Sequence, residues 1–76
     1  MKEKIIEILT EQHPEYDFTE NVDFFEEGIL DSFDMVNLVV DLESNFNIKI
    51  DGVDVIPENF STIENIINLL KSKGAQ

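Results

Sequence analysis

Apolar and polar residues follow a helical period over three stretches of this chain and lose it between them. Ile5, Ile6, Ile8 and Leu9 recur at helical spacing among charged neighbours, which predicts a first helix from about Lys2 to Gln12. His13-Pro14 ends it, because the residue before a proline resists helical backbone angles. From Pro14 to Leu30 no period is sustained, and Thr19, Asn21 and Gly28 punctuate the segment. A long connector is expected there, pinned by Phe18, Val22, Phe24 and Phe25. Asp31 is the candidate N-cap of a second helix over about 32–45, and Asp34 sits at the third helical position, against the positive helix end.

Phe46 to Asp51 alternates like a strand but has no partner elsewhere in the chain, so it reads as an extended connector turned by Asp51-Gly52. Pro57 opens a short helix over about 57–60. Ser61-Thr62-Ile63-Glu64 then matches a capping box, with Glu64 reaching back to Ser61, for a last helix over about 62–71. Ile63, Ile66, Ile67 and Leu70 share one face of that helix, Leu69 lies beside them, and Lys71 and Lys73 fall near its negative end. Gly74-Ala75-Gln76 is expected to fray. Neither a repeat nor a linker divides the chain, so residues 1–76 are read as one all-α domain. Its expected architecture is a small up-down bundle of three main helices plus one short helix, with a long first loop.

The second helix carries two apolar faces. At about 100° per residue, Met35, Leu38, Val39, Leu42 and Phe46 fall in one arc, the core face. Phe33, Val36 and Val40 form a separate stripe beside Ser32, edged by Asn37, Glu43 and Ser44, with Asp34 and Asp41 nearby. A bundle this small buries one face of each helix, so the second stripe is a candidate contact surface for another protein. The competing reading packs these three residues beneath the long loop or the third helix.

With 76 residues the chain buries only about 60% of the surface that it exposes when unfolded, which argues against a deep substrate cavity. It has no cysteine and a single histidine, so disulfides and Cys/His zinc sites are excluded as staples. Apolar residues at 42%, six of them Phe, set it apart from disordered acidic chains. The 17 acidic residues against five lysines give a formal charge of -12, which opposes nucleic acid and anionic membranes and favours basic partners. The charged amino end and the lack of a long apolar run predict no signal peptide and no membrane insertion, hence a cytoplasmic location, and a monomer is expected.

Chemistry centres on Gly28-Ile29-Leu30-Asp31-Ser32-Phe33-Asp34. A nucleophilic serine needs a base within reach and a group that orients the base, and the sequence offers only the remote His13, which reads as a surface residue at a helix end. Glu26 and Glu27 are adjacent and diverge, as solvated loop charges do. Ser32 therefore reads as a modified residue, with simple helix capping as the competing role.

Phe25-Glu26-Glu27-Gly28-Ile29-Leu30-Asp31-Ser32-Phe33, followed by Val36, Leu38, Leu42, Glu43 and Phe46, resembles the acyl carrier protein family over nearly the whole chain. The resemblance implies an acyl-carrier-like bundle and a non-catalytic carrier that is itself a substrate of other enzymes. It implies 4'-phosphopantetheine, derived from coenzyme A, attached at Ser32 by a phosphopantetheinyl transferase, with acyl or aminoacyl groups held as thioesters on the arm. Other implied partners are a loading ligase and an acceptor transferase or synthase with basic docking surfaces, met by Asp31, Phe33, Asp34, Val36, Val40, Asp41 and Glu43. Many fatty-acid carriers have Leu after the serine and an acid where this chain has Asn37. The Leu30-Asp31-Ser32-Phe33 run looks closer to free-standing D-alanyl carriers that serve teichoic-acid modification, and to carriers dedicated to one pathway.

Two other readings compete. Asn47 to Glu58 puts Gly52 and Glu58 where a calcium-binding EF-hand loop wants them, but Lys49 stands where an oxygen ligand belongs and Asp54 at an apolar position. An unmodified acidic interaction module would use the same charge without the arm.

Overall fold

A computed structural model describes residues 1–20 and 22–75. Asn21, one of the expected loop-forming residues, and Gln76, the end of the expected frayed tail, lie outside the described residues. Charged residues interleaved with isoleucine wind into α1 (Lys2–Gln12), which buries Ile5, Ile8 and Leu9. The helix stops at His13, whose backbone swings out to φ -136 and ψ 74 ahead of Pro14. Helix α2 (Ser32–Phe46) buries Met35, Leu38 and Leu42, while Val39 and Phe46 of the expected core arc are half-buried at its edge. The short α3 (Pro57–Phe60) starts at its proline and buries Phe60, and α4 (Ile63–Ser72) buries Ile66, Leu69 and Leu70. Helix α1 packs on α2 and α4, and α3 packs on α2 and α4. The architecture is the expected all-α bundle, with no strand among the described residues.

The long first loop belongs to the core. Phe18 and Phe24 are fully buried with ring centroids 5.3 Å apart, edge to face, and Tyr16 packs on Phe18 at 4.9 Å. The Phe24 N–H donates to the Ser61 carbonyl at 2.7 Å, and the Phe24 carbonyl accepts from Ile29 and Leu30 at 2.9 and 3.1 Å. Asp23 Oδ1 accepts the N–H groups of Phe25 and Glu26, both at 3.0 Å, and Gly28 reverses the chain with φ 74. The residues leading into Ser32 are thus wound on a buried aromatic anchor.

Several local expectations are corrected. Ser61 is not the cap of the last helix: Thr62 is, with extended backbone and its hydroxyl accepting the Asn65 N–H at 3.0 Å. Ser61 keeps helical angles as the C-cap of α3 rather than the extended backbone of an N-cap, its hydroxyl donates to the Glu58 carbonyl and accepts from Asn65 Nδ2, and Glu64 is exposed. The tail through Ala75 does not fray. Gly74, at φ 87, donates to the Lys71 carbonyl and Ala75 to the Leu70 carbonyl, closing the helix end in a Schellman arrangement.

Lys73, expected merely to face the helix end, places Nζ 3.0 Å from Asp51 and 2.6 Å from Asp54. The ammonium is held above its ordinary value by hydrogen bonds to Asp54 and then Asp51. The Phe46–Asp51 connector keeps its alternation, with Ile50 buried and Lys49 exposed, but begins later than expected: Phe46 is helical and Asn47 turns left-handed at φ 53. A 3-10 turn over Gly52–Asp54 takes the place of the simple Asp51-Gly52 turn.

Candidate functional site

Ser32 is the first residue of α2 and is exposed. Its position is set by the residue before it. Asp31 is extended at φ -121 and ψ -174, its Oδ1 accepts the Asp34 N–H at 2.9 Å, and Asp34 Oδ2 accepts the Asp31 N–H at 3.2 Å. This reciprocal box fixes the helix start, and the sequence reading had identified only its Asp31 half. The N–H donated by Asp34, more than any other contact, holds the Asp31 carboxyl below the usual carboxylate range. Among the described residues, no side-chain hydrogen bond involves the Ser32 hydroxyl, which faces solvent from the positive end of a helix of 15 residues.

The apolar stripe is exposed: Phe33, Val36 and Val40 show 74%, 54% and 58% of their surface. That disposes of the alternative in which they pack beneath the loop. The acidic residues expected beside them behave differently. Asp34, Asp41 and Glu43 are all half-buried, and each has a partner inside the protein. Asp34 serves the helix start, Asp41 accepts from Gln12 Nε2 at 3.0 Å, and Glu43 accepts the Ile50 N–H at 2.8 Å. The exposed residues of α2 are Ser32, Phe33, Val36, Asn37, Val40, Ser44 and Asn45, and none is charged. The helix that opens with Ser32 thus turns a neutral face outward on a chain of net charge -12.

Two features escaped the sequence reading. His13, given no role there, is half-buried and stands 3.2 Å from Asp34 through Nε2, which a helix-end histidine gives no sign of in one dimension. Val53 and Ile56 are exposed by 84% and 41%, and their only signal is the apolar run Val53-Asp54-Val55-Ile56 between Gly52 and Pro57. Neither of two surface concavities, about 630 Å³ beside Asn65 and about 380 Å³ beside Ile67, is lined by Ser32. No group of three or more potential metal-ligating His, Cys, Asp or Glu side chains converges among the described residues, and Asp51 and Asp54 of the EF-hand-like segment are taken by Lys73.

An exposed hydroxyl on a capped helix start fits a covalently attached phosphodiester arm. The helix N-terminus favours its charge, and the Asp31 and Asp34 carboxylates oppose it in part.

Residues 2–70 match the family described as phosphopantetheine attachment site. The chain is similar to the D-alanyl carrier protein of Bacillus velezensis, 35% identical over 71 residues that cover 91% of each chain. It is 36% identical over 74 residues to the D-alanyl carrier protein of Leuconostoc citreum, covering 95% of this chain and 94% of the relative. Against the D-alanyl carrier protein of Lactococcus lactis subsp. lactis the identity is 35% over 75 residues, 96% and 95% of the two chains. The helical bundle, the exposed serine at a capped helix start and these matches agree, and the chain belongs to the phosphopantetheine-binding carrier proteins, whose covalent group is 4'-phosphopantetheine.

Proposed function

We propose that Ser32 bears the 4'-phosphopantetheine arm and that the chain, as a single carrier domain over residues 1–76, delivers thioester-bound acyl or aminoacyl groups to partner enzymes without catalysing their transfer. The observation that carries this reading is the exposed Ser32 hydroxyl on the reciprocally capped first residue of α2. A phosphopantetheinyl transferase would join the Ser32 oxygen to the pantetheine-bearing phosphorus of coenzyme A, breaking the pyrophosphate P–O bond so that adenosine 3',5'-bisphosphate leaves and the hydroxyl proton passes to a base of the transferase or solvent. When attached, the arm supplies the terminal thiol that a chain without cysteine lacks.

The cargo we favour is D-alanine, because the relatives at 35–36% identity are named D-alanyl carrier proteins. A ligase would load it and an acceptor transferase would remove it, with the protein monomeric and in the cytoplasm. No described helix is long and apolar enough to cross a membrane. Partners would be steered by the overall negative charge and seated on Phe33, Val36 and Val40, with Val53 and Ile56 as further exposed apolar positions. Asp31, Asp34, Asp41 and Glu43 contribute to that surface chiefly by fixing the helix that carries it.

The test is intact mass after incubation with coenzyme A, magnesium and a broad-specificity transferase. One arm is expected on the native chain and none on Ser32→Ala. A native chain that gains nothing moves the assignment to an unmodified acidic interaction module.

A further inference from the structure

The end of α1 is tied to α2 by two adjacent side chains that the attachment site leaves without a task. Gln12 Nε2 donates to the Asp41 carboxylate at 3.0 Å. His13 brings Nε2 to 3.2 Å from Asp34 Oδ1 and Nδ1 to 3.5 Å from Glu15 Oε1. The imidazole is largely covered, with 21% of its side chain exposed, and it tilts against Phe18 with ring centroids 6.4 Å apart. Its Nε2 is shielded from solvent yet has no aligned hydrogen-bond partner among the described residues. What links it to Asp34 is therefore proximity of charge rather than a directed N–H···O bond.

Asp34 is also the half of the reciprocal box that accepts the Asp31 N–H, so a force on its carboxylate reaches the backbone just before Ser32. The charged groups facing the imidazole are Glu15 from its own loop, Asp34 from α2, and Asp31 at the α2 cap, whose carboxyl feels the histidine's charge. All three are acids, so the contact with Asp34 is an ion pair only while the ring carries a second proton.

We propose that His13 is a positioning residue for arm attachment: protonated, it draws Asp34 toward the end of α1 and holds the Asp31–Asp34 box, and with it the turn carrying Ser32, in the form that the transferase meets. This rests on the reading of Ser32 as the attachment point. Protonation of the ring creates that ion pair, so the tether strengthens as pH falls.

The experiment uses the full apo chain as native protein, His13→Gln, Asp34→Asn and the double variant, with coenzyme A, magnesium and a phosphopantetheinyl transferase. Values of kcat and KM are taken at about pH 6 and about pH 8, and native-to-variant ratios at each pH cancel the transferase's own profile. The native kcat/KM should exceed that of His13→Gln by about two- to fivefold at the lower pH, the range of a partly exposed ion pair, and match it at the higher. In the Asp34→Asn background, His13→Gln should change nothing. A ratio that ignores pH, as a purely structural role would give, or a His13→Gln effect undiminished in that background, overturns the proposal.

Amide exchange at Asp31 and Asp34 in the native chain, corrected for intrinsic rates, needs neither a variant nor a transferase. Stronger protection at the lower pH supports the proposal and equal protection overturns it. If the native chain takes up no arm, the reading of Ser32 fails and the attachment role of His13 with it, while the exchange measurement still decides whether His13 holds the Asp31–Asp34 box.

Discussion

Phe24 donates its backbone N–H to the carbonyl of Ser61 at 2.7 Å, fastening the loop before the Ser32 helix to the junction of α3 and α4. Because the Phe24 ring is fully buried against Phe18, the same residue anchors that loop by packing and by hydrogen bonding. Truncation of a buried aromatic costs about 3–5 kcal/mol, comparable to the whole stability of a small domain. Phe24→Ala is therefore expected to leave the chain largely unfolded at 37 °C, read as lost helical circular dichroism and a collapsed urea midpoint.

The exposed stripe should behave in the opposite way. Phe33→Asp or Val40→Asp removes no buried contact, so the melting temperature should stay within a few degrees of native. Transfer of cargo by a partner enzyme should fall about tenfold in kcat/KM if these residues seat it, the usual cost of losing one apolar anchor. Kinetics with a purified loading enzyme check this, and unchanged values would remove the stripe from the docking surface.

Asp31 offers a test with a definite sign. Its carboxyl is held below its usual value of 3.8, first by the Asp34 N–H, so its contribution to stability is complete above that value and is lost as pH falls through the lower folded one. Asp31→Asn should lower the melting temperature by a few degrees at neutral pH, and the gap should close only in strong acid. Thermal melts of both chains across an acid series give the comparison.

Lys73 has the opposite sign. Its ammonium is held above 10.5 by Asp54 and Asp51, so the stabilisation is complete below that value and disappears as pH rises through the raised one. Lys73→Met should melt earlier than native at pH 7 and approach native behaviour only in strong alkali. A gap that closes near neutrality would contradict the clamp seen in the structure.

Self-repulsion is the remaining lever. At a net charge of -12, added salt should raise the melting temperature, with a divalent cation more effective than a monovalent one at equal ionic strength. A midpoint that ignores ionic strength would count against this.

The helices could be read from one dimension because their signals are local: Ile5 to Leu9, Met35 to Leu42 and Ile63 to Leu70 each repeat with the helical period. The place of Ser32 at a helix start was legible for the same reason, from an N-cap residue before it and an apolar run after it, whereas its reading as the attachment point came from the family resemblance. What escaped depends on which distant groups compete for a side chain. Ser61 and Thr62 both suit a cap, and only the Ser61 role in finishing α3 decides between them. Glu43 looked like a surface charge until the chain folded Ile50 back to its carboxylate, and the Lys73 clamp joins residues 22 positions apart. His13 and Asp34 are likewise brought together by the meeting of two helices, which no local spacing encodes.

The Ser32 hydroxyl and the apolar stripe stand on one uninterrupted helix. From Ser32 to Val40 the axial rise is about 12 Å, with no joint between them. With Ser32 as the proposed pivot, an enzyme that gripped the stripe would find the swinging group at a fixed distance, whatever the cargo. Registration would then be inherited from a rigid rod, with each client measuring from the same handle.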